Sequence, residues 1–254
     1  MINIIMHGCN GKMGKVITGL VEADDNVAIV AGVDINTEEG NGYPVFKSIK
    51  ECNVNADVII DFSATACMDD LFDYCADKLI PVVVCTTGLS QEQLDKLEET
   101  SKKVAVLKSA NMSLGINTIC DVLASISSLL SEAGFDIEIV EKHHNKKLDA
   151  PSGTALALAD AINEATDNKF EYVYDRSTKR ESRGANELGI SAVRGGTIVG
   201  EHEIIFAGTD EVIEIKHTAY SKAIFAKGAI EAARFLAGKP AGLYNMKDVI
   251  AKDR

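Results

Sequence analysis

Along the first part of the chain, short runs of β-branched residues alternate with longer amphipathic stretches. Residues 2–7, 27–33, 56–62, 81–85 and 104–107 are almost continuously apolar, the mark of strands buried on both faces. Between them, residues 12–23, 64–78 and 91–102 place apolar side chains at helical spacing. Ser63 and Ser90 stand where N-caps of the second and third helices belong. Strand–helix alternation of this kind predicts a doubly wound, parallel α/β sheet.

After Asn111 the pattern changes. The spacing predicts a long helix over 115–132, a strand over 136–140, a polar loop, and an alanine-rich helix over 153–165. Strand-like runs then crowd together at 188–193, 198–207 and 212–218. Such spacing predicts an antiparallel or mixed sheet, and hence a second domain of different architecture. Residues 176–186 are polar and charged and read as an exposed, mobile loop. A last helix over 222–236 stops at Gly238-Lys239-Pro240.

Composition narrows the function. The net charge of −12 over 254 residues disfavours nucleic acid and anionic lipid as partners. The N-terminal residues lack the basic region and small-residue cleavage site of a signal peptide, and no apolar stretch approaches a membrane span. Six cysteines without a C-x-x-C pair fit reduced thiols in a cytoplasm.

Two segments carry chemistry. Gly8, Gly11 and Gly14 lie between the first strand and the first helix, where glycines let the backbone approach a pyrophosphate at a helix N-terminus. Asp34, about 20 residues further on, sits where an acid would hold the adenosine ribose of a dinucleotide. Ile35, Asn36 and Thr37 follow it without a base for a 2′-phosphate, so NADH is expected to be preferred. Lys12 in the turn leaves NADPH usable. Cys85-Thr86-Thr87-Gly88 and Ser109-Ala110-Asn111-Met112 follow the fourth and fifth strands, where open parallel sheets bind ligands.

The second segment is Glu141-Lys-His-His-Asn-Lys-Lys-Leu-Asp-Ala-Pro-Ser-Gly-Thr154. His143 and His144 project from a strand end, and Lys146 and Lys147 follow. Ser152 is a plausible N-cap that leaves the Gly153 and Thr154 amides facing an anion. Imidazoles, ammonium groups and a helix start in one run suit the binding and protonation of a small carboxylate. A metal site is not expected, since no carboxylate or cysteine set completes one.

Taken together, Gly8-x-x-Gly-Lys-Met-Gly14, Thr86-Thr-Gly88, Glu141-x-His-His-x-x-Lys-x-Asp-Ala-Pro-Ser-Gly-Thr-Ala155 and Arg194-Gly-Gly-x-Ile-Val-Gly-Glu-His202 closely resemble the dihydrodipicolinate reductase (4-hydroxy-tetrahydrodipicolinate reductase) family. The resemblance runs over essentially the whole length. It implies a Rossmann-type dinucleotide-binding domain over 1–112, completed by 222–254. It also implies a central α+β domain over 113–221 that binds substrate and assembles a homotetramer. The reaction implied is NAD(P)H-dependent reduction of 4-hydroxy-tetrahydrodipicolinate with loss of water. By position, His143 and Lys147 would move protons, and His144, Gly153 and Thr154 would bind a substrate carboxylate. Gly8, Cys9, Asn10, Gly11, Lys12, Met13, Asp34, Cys85, Thr86, Thr87, Ser109, Ala110, Asn111 and Met112 would line the cofactor.

The chain departs from the family pattern at three points. Cys85 replaces a usual glycine, so a thiol is expected near the nicotinamide and shielded by NADH. Lys222 replaces a common arginine, and Asp34 lacks the basic neighbour of dual-cofactor members. The rival readings are another Rossmann oxidoreductase, which would lack the His-His loop, and a non-catalytic NADH sensor, which would need no proton donor.

Overall fold

The computed structural model describes residues 1–38 and 40–251, and the chain divides into two compact units. In chain order, the elements of the first stretch are β1 (Ile2–His7), α1 (Lys12–Val21), β2 (Val27–Val33), β3 (Val45–Phe46), β4 (Val58–Asp61), α2 (Met68–Lys78), β5 (Val82–Val84), α3 (Gln91–Ser101) and β6 (Ala105–Lys108). The middle supplies α4 (Leu114–Glu132), β7 (Asp136–His143), α5 (Gly153–Glu164), β8 (Glu171–Val173), β9 (Glu187–Arg194), β10 (Gly200–Ala207) and β11 (Val212–Ala219). The chain then adds α6 (Ala223–Leu236), β12 (Gly242–Tyr244) and α7 (Met246–Ala251).

Residues 1–113 and 223–251 form the first unit, built on a seven-stranded sheet in the order β12-β6-β5-β4-β1-β2-β3. Every pairing in it is parallel, as the buried apolar runs require. Val58, Ile59 and Ile60 of β4 and Val82, Val83 and Val84 of β5 are fully buried, and Ile59, Val82 and Val84 share a core with Leu71, Phe72 and Cys75 of α2.

Three local expectations change. Ser63 caps no helix; its hydroxyl donates to Asp61 Oδ1 at 2.6 Å. The predicted helix over 64–78 opens as a 3₁₀ turn, Thr65–Cys67, and becomes α-helical only at Met68. The short edge strands β3 and β12 were too brief to show periodicity. Ser90 does cap α3, in a full capping box with Gln93.

Residues 114–222 form the second unit, with a mixed five-stranded sheet in the order β11-β10-β7-β9-β8. Pairs β10–β11 and β10–β7 are antiparallel, whereas β7–β9 and β8–β9 are parallel. One face packs on α4 and α5 through Ile137, Ile139, Ile190, Ile204, Phe206, Leu123, Leu158 and Ile162. Helix α4 is 19 residues long and apolar enough by composition to cross a membrane, contrary to the sequence expectation. Its Ile116, Cys120 and Leu123 are buried in this core.

Strand β7 runs three residues beyond the predicted Val140, and this extension shapes the site. Residues 176–186 contain no regular element. They are nevertheless tethered: Arg183 pairs with Asp136 at 2.7 Å and Glu138 at 2.9 Å, and Arg176 pairs with Glu187.

Candidate functional site

Side chains alternate along a strand, so the odd-numbered residues of β7 share one face. That row begins as core, with Ile137 and Ile139, and ends as chemistry, with Glu141 and His143. The neighbouring strands complete it through their register. His202 of β10 stands opposite Glu141, His217 of β11 opposite His202, and Arg194 of β9 opposite His143.

Glu141 is the hub. Its carboxylate is fully buried and accepts from Arg194 Nη1 and Nη2 at 2.7 Å each, in a bidentate pair. It also meets His143 Nδ1 at 2.6 Å and accepts from the Ser152 amide at 2.9 Å. Burial alone would raise this carboxyl group. Arg194, His143 and the Ser152 N–H together outweigh burial and hold it below the usual carboxylate range.

His143 is therefore oriented through Nδ1, which leaves Nε2 as the ring nitrogen not engaged by Glu141. A Cβ at Gly200 would stand 3.1 Å from that Nε2, so glycine keeps the space open. His202 packs edge-on against His143, with ring centroids 5.2 Å apart. Burial, and then the neighbouring His143, press the His202 pKa down to about 4, so the ring is neutral. Its Nε2 lies 3.0 Å from Ser152 Oγ, and its Nδ1 has no partner among the described residues.

The loop after β7 is pinned at several points. Gly195 N donates to His143 O at 2.8 Å and Lys147 N to His144 O at 3.1 Å, while Arg194 Nη2 donates to Asp149 O at 2.6 Å. Ser152 caps α5, its Oγ accepting from Ala155 N at 3.2 Å. The Asp149 carboxylate sits 2.9 Å from Lys147 Nζ, and chiefly that lysine holds it below the usual carboxylate range. It is an internal stand-in for an anionic ligand: the lysine already grips a carboxylate beside the helix start. His144 and Lys147 are half-buried, and Lys146 is exposed. Glu141, Arg194, Ser152 and His202 were not predicted as site residues. The signal for Glu141 was its two-residue spacing from His143, which has meaning only if the strand reaches that far.

In the first unit the Gly8–Gly14 turn has the geometry expected for a dinucleotide. Gly8 has φ +82°, and a Cβ there would stand 2.5 Å from the Phe62 carbonyl oxygen; one at Gly14 would stand 2.3 Å from Gly8 O. No side chain caps the N-terminus of α1. Its first amides are thus directed outward, as an anion requires. Asp34 Oδ2 accepts from Asn10 N at 2.9 Å, tying the acid to the turn.

A cavity of about 330 Å³ is lined by Gly8, Gly11, Asp34, His7, Lys47 and Cys67, among others. These features fit a dinucleotide. The other predicted cofactor residues do not line this cavity. Lys12 and Thr87 are exposed, Met13, Ser109 and Asn111 half-buried, Ala110 exposed, and Cys9, Thr86 and Met112 buried. The Cys85 thiol is pushed well above the ordinary range by burial and by Asp61, which makes it a poor nucleophile.

The cavity also has a charged floor that sequence reasoning missed. His7 Nδ1 and Asp61 Oδ1, at adjoining ends of β1 and β4, lie 2.9 Å apart and almost fully buried. Burial opposes the charge on His7, but the Asp61 carboxylate and then Cys67 raise its pKa to about 9.

Comparisons with known proteins agree with this geometry. Residues 2–112 match the family model for the dihydrodipicolinate reductase N-terminus, and residues 115–250 match that for the C-terminus. The chain is 54% identical over 252 residues to a 4-hydroxy-tetrahydrodipicolinate reductase of Caldanaerobacter subterraneus subsp. tengcongensis, covering 99% of both chains. It is 51% identical over 246 residues to the enzyme of that name from Clostridium tetani, covering 97% of this chain and 96% of the relative. Its fold is similar to that of a dipicolinate-bound dihydrodipicolinate reductase from Paenisporosarcina sp. TG-14, with TM-score 0.81 and 23% identity over 98% and 99% of the two chains. The chain belongs to the dihydrodipicolinate reductase family, and it is an oxidoreductase of that family.

Proposed function

We propose that this chain reduces 4-hydroxy-tetrahydrodipicolinate with NAD(P)H, releasing water and giving tetrahydrodipicolinate, a step of lysine and diaminopimelate synthesis. The observation that carries the reading is the carboxylate grip of the loop: Lys147 Nζ already holds Asp149 at 2.9 Å, beside the start of α5. A dicarboxylate substrate asks for that chemistry, and the dipicolinate on the Paenisporosarcina protein is a dicarboxylate.

In this reading, residues 1–112 with 222–254 form the dinucleotide-binding domain, and 113–221 the substrate-binding and oligomerisation domain. His144, Gly153 and Thr154 bind a substrate carboxylate. His143, oriented by Glu141, exchanges a proton at Nε2, and Lys147 is the second proton donor. The turn Gly8–Met13 and Asp34 hold the dinucleotide, with Cys85–Thr87 and Ser109–Met112 as further lining. The bound nicotinamide supplies the hydride. NADH is the preferred reductant, because Asp34 is anchored for a ribose hydroxyl. Lys47, lining the same cavity, leaves NADPH usable.

The active form is a homotetramer. The exposed Val212 and Ile213 on the edge strand β11 support an association through that sheet. Six free thiols suit a reducing cytoplasm.

The test is oxidation of NADH and of NADPH by the purified protein, with substrate generated in situ from aspartate semialdehyde and pyruvate. Turnover is expected with both, with the higher kcat/KM for NADH. Lys147→Ala is expected to lower kcat about 10²-fold or more while NADH binding persists. Full turnover by a His143→Ala/Lys147→Ala variant would overturn the site, and a clear NADPH advantage would overturn the preference.

A further inference from the structure

His143 ends β7 and Lys147 lies in the loop beyond it, yet an unbroken run of contacts joins their side chains. His143 Nδ1 meets Glu141 Oε2 at 2.6 Å, and Glu141 Oε1 accepts from Arg194 Nη2 at 2.7 Å. The same Nη2 donates to the carbonyl oxygen of Asp149 at 2.6 Å, and the Asp149 carboxylate holds Lys147 Nζ at 2.9 Å. Arg194 sits at the middle of this run. Its Nη1 donates to Glu141 Oε2 at 2.7 Å and to the Val193 carbonyl at 2.9 Å, so each terminal nitrogen uses both hydrogens. Of the five guanidinium N–H groups, the one on Nε is left without a partner among the described residues.

Glu141 is filled to the same extent. Its Oε1 accepts from Arg194 and from the Ser152 amide, and its Oε2 from Arg194 and from His143. A carboxylate gripped by a guanidinium fork stays ionised and can only accept, so His143 has to present an N–H from Nδ1. The ring is thereby turned with Nε2 towards the space that Gly200 leaves open. On the other side, the bond to Asp149 O ties down the loop in which Lys147 N donates to His144 O at 3.1 Å. We propose that Arg194 is the positioning residue for both proton-moving side chains, directing His143 through Glu141 and Lys147 through Asp149. The proposal rests on the roles given above to those two residues.

The task requires an arginine. An ammonium group is a point charge on a flexible stem, and it can meet the Glu141 carboxylate. It lacks the rigid fork that grips a carboxylate and a loop carbonyl together. Placement matters because a general acid or base contributes about 10²–10⁴-fold to a rate, and a shift of ~1 Å forfeits about 10²-fold. Burial makes the placement firm: the Glu141 side chain is fully enclosed and that of Arg194 is 19% exposed, so water competes little for the pair.

The experiment compares Arg194→Lys and Arg194→Ala with the unmodified chain. Chemical unfolding is expected to place Arg194→Lys well above Arg194→Ala, because a cation still meets Glu141. The rate is not expected to recover with it: Arg194→Lys lowers kcat about 10²-fold, with KM changed by less than about 5-fold. A kcat that returns together with stability, or a loss confined to KM, overturns the proposal. Added to Lys147→Ala, Arg194→Lys is expected to cost several-fold less than it does alone, and equal costs in both backgrounds overturn the link to Lys147. Nitrogen NMR of the His143 ring gives a reading that needs no turnover. In Arg194→Ala the ring is left as the counter-charge of Glu141, and its signals are expected to move towards the doubly protonated pattern. Signals that stay in place overturn the proposal whatever the activity. The expected spectra from an unmodified chain that shows no turnover support the orientation of His143 by Arg194 and overturn the reaction.

Discussion

Each unit buries a histidine near a strand end to the same degree, yet only one of the two rings is charged. His7 and His202 are both 4% exposed. The pKa of His7 is raised to about 9, whereas that of His202 is lowered to about 4. Burial opposes the imidazolium in both places, so burial cannot be what separates them. The partner decides. His7 meets the Asp61 carboxylate, which no arginine shares among the described residues. His202 meets a serine hydroxyl and another imidazole, and the nearby Glu141 is already committed to Arg194 and His143. One unit therefore keeps a buried cation under its cleft, and the other keeps a neutral ring beside His143.

The largest test of this contrast removes the guanidinium that neutralises Glu141. Arg194→Ala leaves a buried carboxylate without its main counter-charge, and chemical unfolding is expected to show a loss of about 3–5 kcal/mol. A loss below about 1 kcal/mol would mean that Glu141 is not organised by this pair.

The next test uses pH, because the two histidines act in opposite windows. The folded pKa of His7 lies above its unfolded value of 6.5, so its contribution is complete below pH 6.5. It is lost as pH rises from there towards 9, by an amount on the order of 3 kcal/mol. The folded pKa of His202 lies below 6.5, so its contribution is present above pH 6.5 and fades as pH falls towards 4. Amide exchange is expected to show β1 and β4 loosening on the alkaline side, and β7 and β10 on the acid side. His7→Asn should erase the alkaline slope alone; a slope that survives it belongs to other groups.

The smallest expected effect is at Ser152, whose Oγ both caps α5 and faces His202 Nε2. Ser152→Ala is expected to cost about 1 kcal/mol in thermal unfolding, the usual value of an N-cap. It should also flatten the acid limb, because a His202 that loses its hydroxyl partner has a folded pKa closer to the unfolded 6.5. An unchanged acid limb would show that the hydroxyl does not hold the ring neutral.

How much of this was legible in the chain varies from element to element. The parallel sheet was, because β1, β2, β4, β5 and β6 are continuous apolar runs separated by helical periods. The glycine turn and Asp34 were legible for the same local reason: backbone freedom and an acid at a fixed distance along the chain. The charged row was not. Glu141-Lys142-His143 lacks strand propensity, and only pairing with β9 and β10 carries β7 through it. His7 and Asp61, 2.9 Å apart in the fold, lie far apart in a sequence that gives no hint of their contact. The Ser63 cap failed because a nearer acceptor, Asp61, took the hydroxyl.

By itself, the sequence determined everything that depends on period and backbone. It specified a doubly wound unit followed by a mixed-sheet unit, a helix start at Ser152 that leaves amides for an anion, and a loop rich in imidazole and ammonium groups. Tertiary structure alone decided the charge states. Whether a buried imidazole is a cation or a neutral ring depends on which carboxylate, hydroxyl or guanidinium another strand brings within 3 Å or so. Strand register, which aligns Glu141 with His202 and His143 with Arg194, is a property of the paired sheet and not of any one segment.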